Sequence, residues 1–343
     1  MDVILQVFDT YALDRVYATL YPATSSFVNG TISRPVPKSI APASRYLQVE
    51  PSQYAWMSQW SRDNINRQAL SLFFITWTFG AIVYFLFATL SYYFVFNQET
   101  MRHPKFLKNQ IRLEILQSVW SMPFMSIPTA FMFLLEVRGY GKFYDTLSEA
   151  PFALYNVLQF PLFLLFTDFW IYLIHRGLHH PLIYKNFHKP HHKWIVPTPF
   201  ASHAFHPFDG FMQSFPYHVF AFIFPLQKLA YVALFVFVNF WTISIHDGEH
   251  LANSTIINGA ACHTIHHERF NYNYGQYTTI WDRFWGTYSQ PSEEMFDPAM
   301  KKGVGDAKFL AKSVAEIDRL QAEAEGDDER EYITDAVEVK KNK

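Results

Sequence analysis

The stretch "IYLIHRGLHHPLIYKNFHKPHHK", residues 171–193, carries six imidazoles: His175, His179, His180, His188, His191 and His192. Further along, "HDGEH" supplies His246 and His250, and "HTIHH" supplies His263, His266 and His267. On a helix, a gap of three or four residues puts two side chains on one face, about 5–6 Å apart. That is the spacing at which two imidazoles share one metal ion. Adjacent residues such as His191 and His192 point apart and can serve two different ions. Eleven of the 15 histidines fall in these short windows, a supply that suits two metal ions rather than one. Imidazole takes zinc, copper, iron or nickel, so ligand type alone does not choose the metal. A structural zinc site would need only four ligands and would be closed. With no Ser or Cys nucleophile motif nearby, the expected chemistry is redox work on an apolar substrate.

Histidines that bind a metal usually donate their other N–H to a carboxylate or carbonyl, which fixes the tautomer. Asp168 and Tyr172, seven and three residues before His175, are candidates for that role, because a carboxylate inside an apolar span is costly. Asp247, Glu249 and Asp282 lie beside the later clusters, and His203 and His206 in "SHAFHPFDG" are further candidates for supporting the ligands. His103 and His218 stand alone and are expected to be surface or satisfied helix residues. The single cysteine, Cys262, excludes an intramolecular disulfide and a cysteine zinc finger, and is expected to be a small buried hydrophobe.

These residues must be positioned by an unusually apolar chain. Half of its 343 residues are hydrophobic and 19% are aromatic, against 17% charged. A net charge of −2 gives no attraction for nucleic acid. Residues 68–96 contain no charged side chain and exceed the roughly 20 apolar residues that span a bilayer. A second span is expected over 116–137, bent at Pro123 and Pro128, and a third over 150–175. Residues 210–246 are too long for one span, and Pro225–Lys228 should break them into a hairpin, whether full or re-entrant. The loop holding Arg102, Lys105, Lys108 and Arg112 places its side in the cytosol by the positive-inside rule. The N-terminus is then lumenal and all the histidine clusters are cytosolic. The fold expected is all-α: a multi-span integral membrane bundle of four to five transmembrane or re-entrant helices, with a cytosolic histidine-rich dimetal domain. Its segments are a lumenal 1–68, a membrane domain over 69–293 and a polar cytosolic tail over 294–343. The chain opens without a signal peptide pattern. Asn29 begins a sequon, Phe309 to Leu320 are spaced as an amphipathic helix, and "KKNK" at the end matches a dilysine retrieval signal of the endoplasmic reticulum.

The three boxes His175–His179, His188–His192 and His263–His267 resemble the HxxxH, HxxHH and HxxHH boxes of the membrane fatty-acid hydroxylase/sterol desaturase superfamily. The flanks "FHPFDGFMQSFPYH", "IHDGEH", "INGAACHTIHH" and "FNYNYGQYTTIWDRFWGTY" are similar to those of fungal C-5 sterol desaturases, over roughly residues 70–292. The resemblance implies a non-haem enzyme of the endoplasmic reticulum membrane with two iron ions. It would take a sterol from the bilayer, O2 and two electrons, and introduce a C-5(6) double bond into a Δ7 sterol during ergosterol synthesis. The electrons would come from cytochrome b5 and its reductase. The HPGG haem motif of a fused cytochrome b5 domain is absent, so the donor would be a separate protein. Within the superfamily, a sterol C-4 methyl oxidase or a sphingolipid hydroxylase is the neighbouring alternative. Outside it, a metal transporter or zinc-storage protein would place ionisable groups deep within several spans instead of at helix ends.

Overall fold

The structure is a computed structural model describing residues 1–23, 43–249, 254–296, 314–320, 322 and 330–332, with backbone alone at 26–28, 31–33, 294 and 296. Helices α1 (Asp2–Phe8) and α2 (Asp14–Leu20) flank a π-helical stretch over Asp9–Leu13. Strands β1 (Ser26–Val28) and β2 (Thr31–Ser33) form an antiparallel hairpin. Three long helices follow: α3 (Ile65–Phe94), α4 (Gln110–Val137) and α5 (Tyr155–Leu178). Short helices α6 (Pro181–Ile183) and α7 (Lys189–His192) lead to α8 (Pro207–Ile223) and α9 (Lys228–Ile245). Helices α10 (Ala260–Arg269) and α11 (Ile280–Phe284) complete the order.

Among the described residues, α3, α4, α5 and α9 are long and apolar enough to cross a membrane. Large apolar side chains stand exposed along them, including Phe74, Ile82 and Leu86 on α3 and Trp120, Phe124 and Ile127 on α4. Such surface faces lipid, not water. The chain is therefore an all-α, multi-pass membrane protein. The second span begins at Gln110, six residues earlier than its apolar run, and Pro123 and Pro128 lie inside the continuous helix. The expected hairpin over 210–246 appears as α8 and α9. Its break falls at 224–227, where β4 (Leu226–Gln227) pairs in parallel with β3 (Phe143–Tyr144). Asn29, Phe309, Leu310 and "KKNK" lie outside the described residues. Within 314–320, which is helical, Ile317 is buried against Phe106, Ile195 and Val196.

The chain divides into two compact units. The first comprises 1–79, 126–161 and 218–234. Here Arg67, 1% exposed, donates to Asp9 and to Asp14 at 2.7 Å each, and Arg62 donates to Asp14 at 2.5 Å. The Arg67 guanidinium also lies 4.6 Å from the Tyr17 ring centre. Charges buried this completely require paired, hydrogen-bonded partners, and the network ties the N-terminal helices to the start of α3. His218 is also in this unit, buried, with Nδ1 3.1 Å from the Tyr231 hydroxyl, so it is the satisfied helix residue expected.

The second unit comprises 80–125, 162–217 and 235–343 and contains every histidine cluster. Its scaffold is a polar stripe on the otherwise apolar α4. Gln110, Glu114, Gln117, Ser118 and Ser121 recur at three- and four-residue steps and so share one face. Gln110 donates to the Val196 carbonyl at 2.8 Å, and Gln117 to Pro190 and Ala204 at 3.1 and 2.7 Å. Ser118 donates to Phe200 at 3.3 Å, Ser121 donates to the Phe205 carbonyl, and Glu114 accepts from the Thr198 hydroxyl. Backbone without regular structure can sit against membrane helices only when its polar groups are satisfied by protein. The stripe does this for 190–205, the segment joining the second histidine box to α8.

Candidate metal centre

Nine histidines converge into two groups. His175, His179, His188, His192 and His266 form one, and His191, His246, His263 and His267 the other, with the ligand atoms of each group within 4.8 Å of one another. His175 lies in the last turn of α5, and His179 follows it one turn later, just past the helix end. Helix α7 carries His191 and His192, α9 delivers His246 just past its end, and α10 carries the last three. Each adjacent pair is divided: His192 and His266 belong to the first group, His191 and His267 to the second.

The hydrogen bonds at Nδ1 fix what the other nitrogen can do. His175 Nδ1 lies 2.9 Å from the Tyr274 carbonyl and His188 Nδ1 2.7 Å from Asp209 Oδ2. Both acceptors require the proton on Nδ1, leaving a lone pair on Nε2. Yet the two Nε2 atoms face each other at 3.1 Å. In the second group His246 Nδ1 donates to Thr242 O at 2.6 Å, and its Nε2 sits 3.0 Å from His263 Nε2, which is 3.1 Å from His267 Nε2. His179 and His192 approach through Nε2 at 3.2 Å. His266 donates Nδ1–H to the Tyr272 carbonyl at 2.7 Å and leaves its Nε2 buried without a partner. Lone pairs brought together in a buried site repel unless a cation lies among them. Nitrogens bound about 2.1 Å from one ion are about 3.0–3.4 Å apart at right or tetrahedral angles, and the observed separations match. The residues present fit two metal ions.

One loop orients a ligand in each of two helices. Asn273 adopts φ 58°, a left-handed conformation that asparagine tolerates, and its side chain is tied to Cys262 and Ser289 carbonyls. That turn presents the Tyr272 and Tyr274 carbonyls to His266 and His175. Gly275 follows where a Cβ would come within 2.3 Å of the Thr278 carbonyl, so no other residue fits. Asp282 accepts from Tyr274 N and Gly275 N at 2.9 and 2.8 Å. Asp168 accepts from Gln276 N and Tyr277 N at 3.0 and 2.7 Å and from the Thr278 hydroxyl at 2.5 Å. Both acids are fully buried.

A fatty acid hydroxylase family model matches residues 160–287, which contain all nine clustered histidines. The chain is 55% identical to a Delta(7)-sterol 5(6)-desaturase of Aspergillus fumigatus, covering 97% of this chain and 98% of that one. It is 54% identical to the Delta(7)-sterol 5(6)-desaturase of Gibberella zeae over 99% of each chain. It is 44% identical to one from Schizosaccharomyces pombe over the full length of both. The chain belongs to the Delta(7)-sterol 5(6)-desaturase family. No solved structure matches it.

In this member of the family, several residues chosen from sequence lie elsewhere than expected. His180 is exposed, caps α6 by accepting from Leu182 N at 3.4 Å, and belongs to neither group, because the chain turns at it from the α5 direction into α6. His250 lies outside the described residues. Asp168 and Asp282 contact no imidazole directly; they act through the 272–278 loop. Tyr172 bonds Thr287 Oγ1 at 2.9 Å and stacks on Trp285, again behind that loop. His206 accepts from Phe208 N at the start of α8, and His203 lies between Ser202 and Asn239. Asp247 is buried beside His246 and accepts from Glu249 N. His103 accepts from Lys105 N. Cys262 is buried as a small hydrophobe. Asp209 was not selected from sequence, although it stands in the quoted "HPFDG", because an acid in the first turn of a helix has an ordinary use there. Replacing it with asparagine removes the charge behind His188 and is expected to lower metal affinity about 10–100-fold. Metal titration of the purified variant, followed by elemental analysis, measures this.

Burial, then repulsion among neighbouring imidazoles, holds His191, His192, His263, His266 and His267 well below the ordinary histidine pKa. Burial also pushes His246 down to about 4. Neutral imidazoles are the ligand form. The same groups make the metal-free protein acid-sensitive. Their folded pKa values lie below the unfolded value of 6.5, so their contribution is present above pH 6.5 and lost as pH falls through the folded values. Each contributes a slope of up to about 1.4 kcal/mol per pH unit in that window. Thermal unfolding of chelator-treated protein is expected to shift steeply downward between pH 6.5 and 5, and an unchanged midpoint would contradict the burial.

Proposed function

We propose that this chain introduces a C-5(6) double bond into a Δ7 sterol of the ergosterol pathway, at two non-haem iron ions held by the nine clustered histidines. The carrying observation is the convergence of the nine imidazoles into two groups whose ligand atoms lie within 4.8 Å of one another, with the Nε2 lone pairs of His175 and His188 facing each other at 3.1 Å, an arrangement that a cation between them relieves. The full-length similarity to Delta(7)-sterol 5(6)-desaturases supports the substrate and position. Removing two hydrogens from the sterol releases two electrons. With two more electrons and two protons from outside, one O2 becomes two waters. Cytochrome b5 and its reductase are the proposed source of those electrons.

The iron pair, when bound, supplies the O2-derived oxidant that takes hydrogen from the ring. The chain supplies the rest. His175, His179, His188, His192 and His266 would hold one ion, and His191, His246, His263 and His267 the other. Thr242, Tyr272 and Tyr274 carbonyls and the Asp209 carboxylate keep four of these rings in the tautomer that directs Nε2 inward. The apolar flanks of the spans admit a flat sterol from the bilayer and exclude bulk water.

The proposed orientation puts residues 1–68 in the lumen of the endoplasmic reticulum, 69–293 in the membrane domain, and the metal centre and the 294–343 tail in the cytosol. The basic loop at 102–112 and the terminal "KKNK" support this. Expression in a yeast lacking C-5 sterol desaturase tests the assignment by sterol profiling. Restored 5,6-unsaturated sterols are expected; persistent Δ7 sterols without that bond, or hydroxylated or 4-demethylated products instead, would overturn it.

A further inference from the structure

Helix α11 places its buried and exposed residues on opposite sides. Asp282 points inward, fully buried, to the 272–278 loop. Ile280 and Phe284, four residues apart and so on one face, stand 43% and 74% exposed. A large aromatic at that exposure is costly in water.

The surface beside them is an aromatic sheet shared with α5. Phe169 lies 4.9 Å from Trp281, 6.1 Å from Trp285 and 5.3 Å from Trp170, and Trp285 lies 4.9 Å from Phe284. Trp170 and Leu165 are themselves exposed on α5, one of the membrane-spanning helices. The α11 face is therefore continuous with a surface that meets lipid.

Its depth also fits. Phe169 and Trp170 precede the end of α5 by nine and eight residues, about 12–14 Å at 1.5 Å per residue. The 24 residues of α5 reach about 36 Å, some 6 Å beyond a hydrocarbon core of about 30 Å. With that overhang at this end, or shared between both ends, the sheet lies roughly 6–11 Å inside the boundary, close to the depth of about 5–10 Å at which interfacial helices bury their apolar face. Arg283 is exposed beside it, its guanidinium 3.9 Å from the Tyr288 ring centre, as a cation at the headgroup level would be.

We propose that α11 with Trp285 is an interfacial foot. Its occupant is the headgroup–acyl boundary of the bilayer, not a partner protein or a second copy of the chain. The foot holds, through Asp282, the loop whose carbonyls orient His175 and His266, so the metal centre is braced from the membrane side. This rests on the membrane-spanning architecture and stands whatever sterol is used.

Full-length protein in phosphatidylcholine vesicles carrying anionic lipid provides the test. Nitroxide labels at Ile280→Cys and Phe284→Cys are compared with Leu165→Cys on the lipid-facing span; Cys262 is buried. Both foot positions are expected to be relaxed by O2 in preference to a water-soluble nickel chelate, as the span reference is. Preference for the chelate would overturn the proposal, and so would labels inaccessible to both, which indicate a protein contact. Phe284→Trp, which keeps an aromatic side chain, gives a second reading. Its added emission is expected to be quenched by lipids brominated near the carbonyl end of the acyl chain, and unquenched emission would overturn the proposal.

Discussion

Alanine at His191 or at His266 is expected to abolish formation of the 5,6 double bond while the protein remains in the membrane. His191 belongs to the group of four, and its loss leaves three imidazoles. His266 belongs to the group of five and contributes the buried Nε2 that has no other partner. Loss of an outer partner of a ligand already costs about 10–100-fold, so loss of the ligand itself should cost on the order of 100-fold or more. Both positions are helical, and alanine keeps the helix. Sterol profiles in a desaturase-deficient yeast, with metal content of each purified variant, give the measurement. Undiminished conversion by either variant would sink the two-ion assignment. The paired substitutions also separate the groups: each is expected to lose metal chiefly from its own site.

Replacing Asp168 with alanine is expected to be the most damaging change away from the imidazoles. Its carboxylate is buried and accepts from the Gln276 and Tyr277 amides and the Thr278 hydroxyl. Removal strands those donors, each at about 1–3 kcal/mol, for a loss on the order of 3 kcal/mol or more. The loop then loses its anchor on α5, and the Tyr272 and Tyr274 carbonyls lose their registration on His266 and His175. A thermal midpoint lowered by several degrees and reduced metal content are expected together. Asparagine at the same position keeps an acceptor for the amides and should be milder. A wild-type midpoint in the alanine variant would show that the loop does not depend on this carboxylate.

Much of the chemistry is legible in the residues themselves. Histidines three and four apart announce shared ligation, because helical periodicity alone brings them to one face. Long uncharged runs announce spans, because a bilayer leaves backbone no other partner than its own helix. Both signals are local. The α8–α9 hairpin was legible for the same reason, although the start of α4 was less so, because the polar residues from Gln110 are helical without being apolar. Helix α5 begins at Tyr155, after the apolar residues 150–154 that hydropathy alone would include.

What only the tertiary structure decided is non-local. The division into five and four ligands depends on where α10 arrives, about 70 residues after the second box. His180 falls in neither group because the chain turns there to cap α6, whereas the His179 N–H still bonds the His175 carbonyl in the pattern of α5. Backbone carbonyls have no sequence signature, so Thr242, Tyr272 and Tyr274 could not be nominated. Asp168 and Asp282 were found as unusual acids, but their targets are amides on a loop that no periodicity reveals. The sequence by itself determined that two metals could be held and on which helices. The structure decided which nitrogen faces which ion, because that depends on hydrogen bonds between segments far apart in the chain.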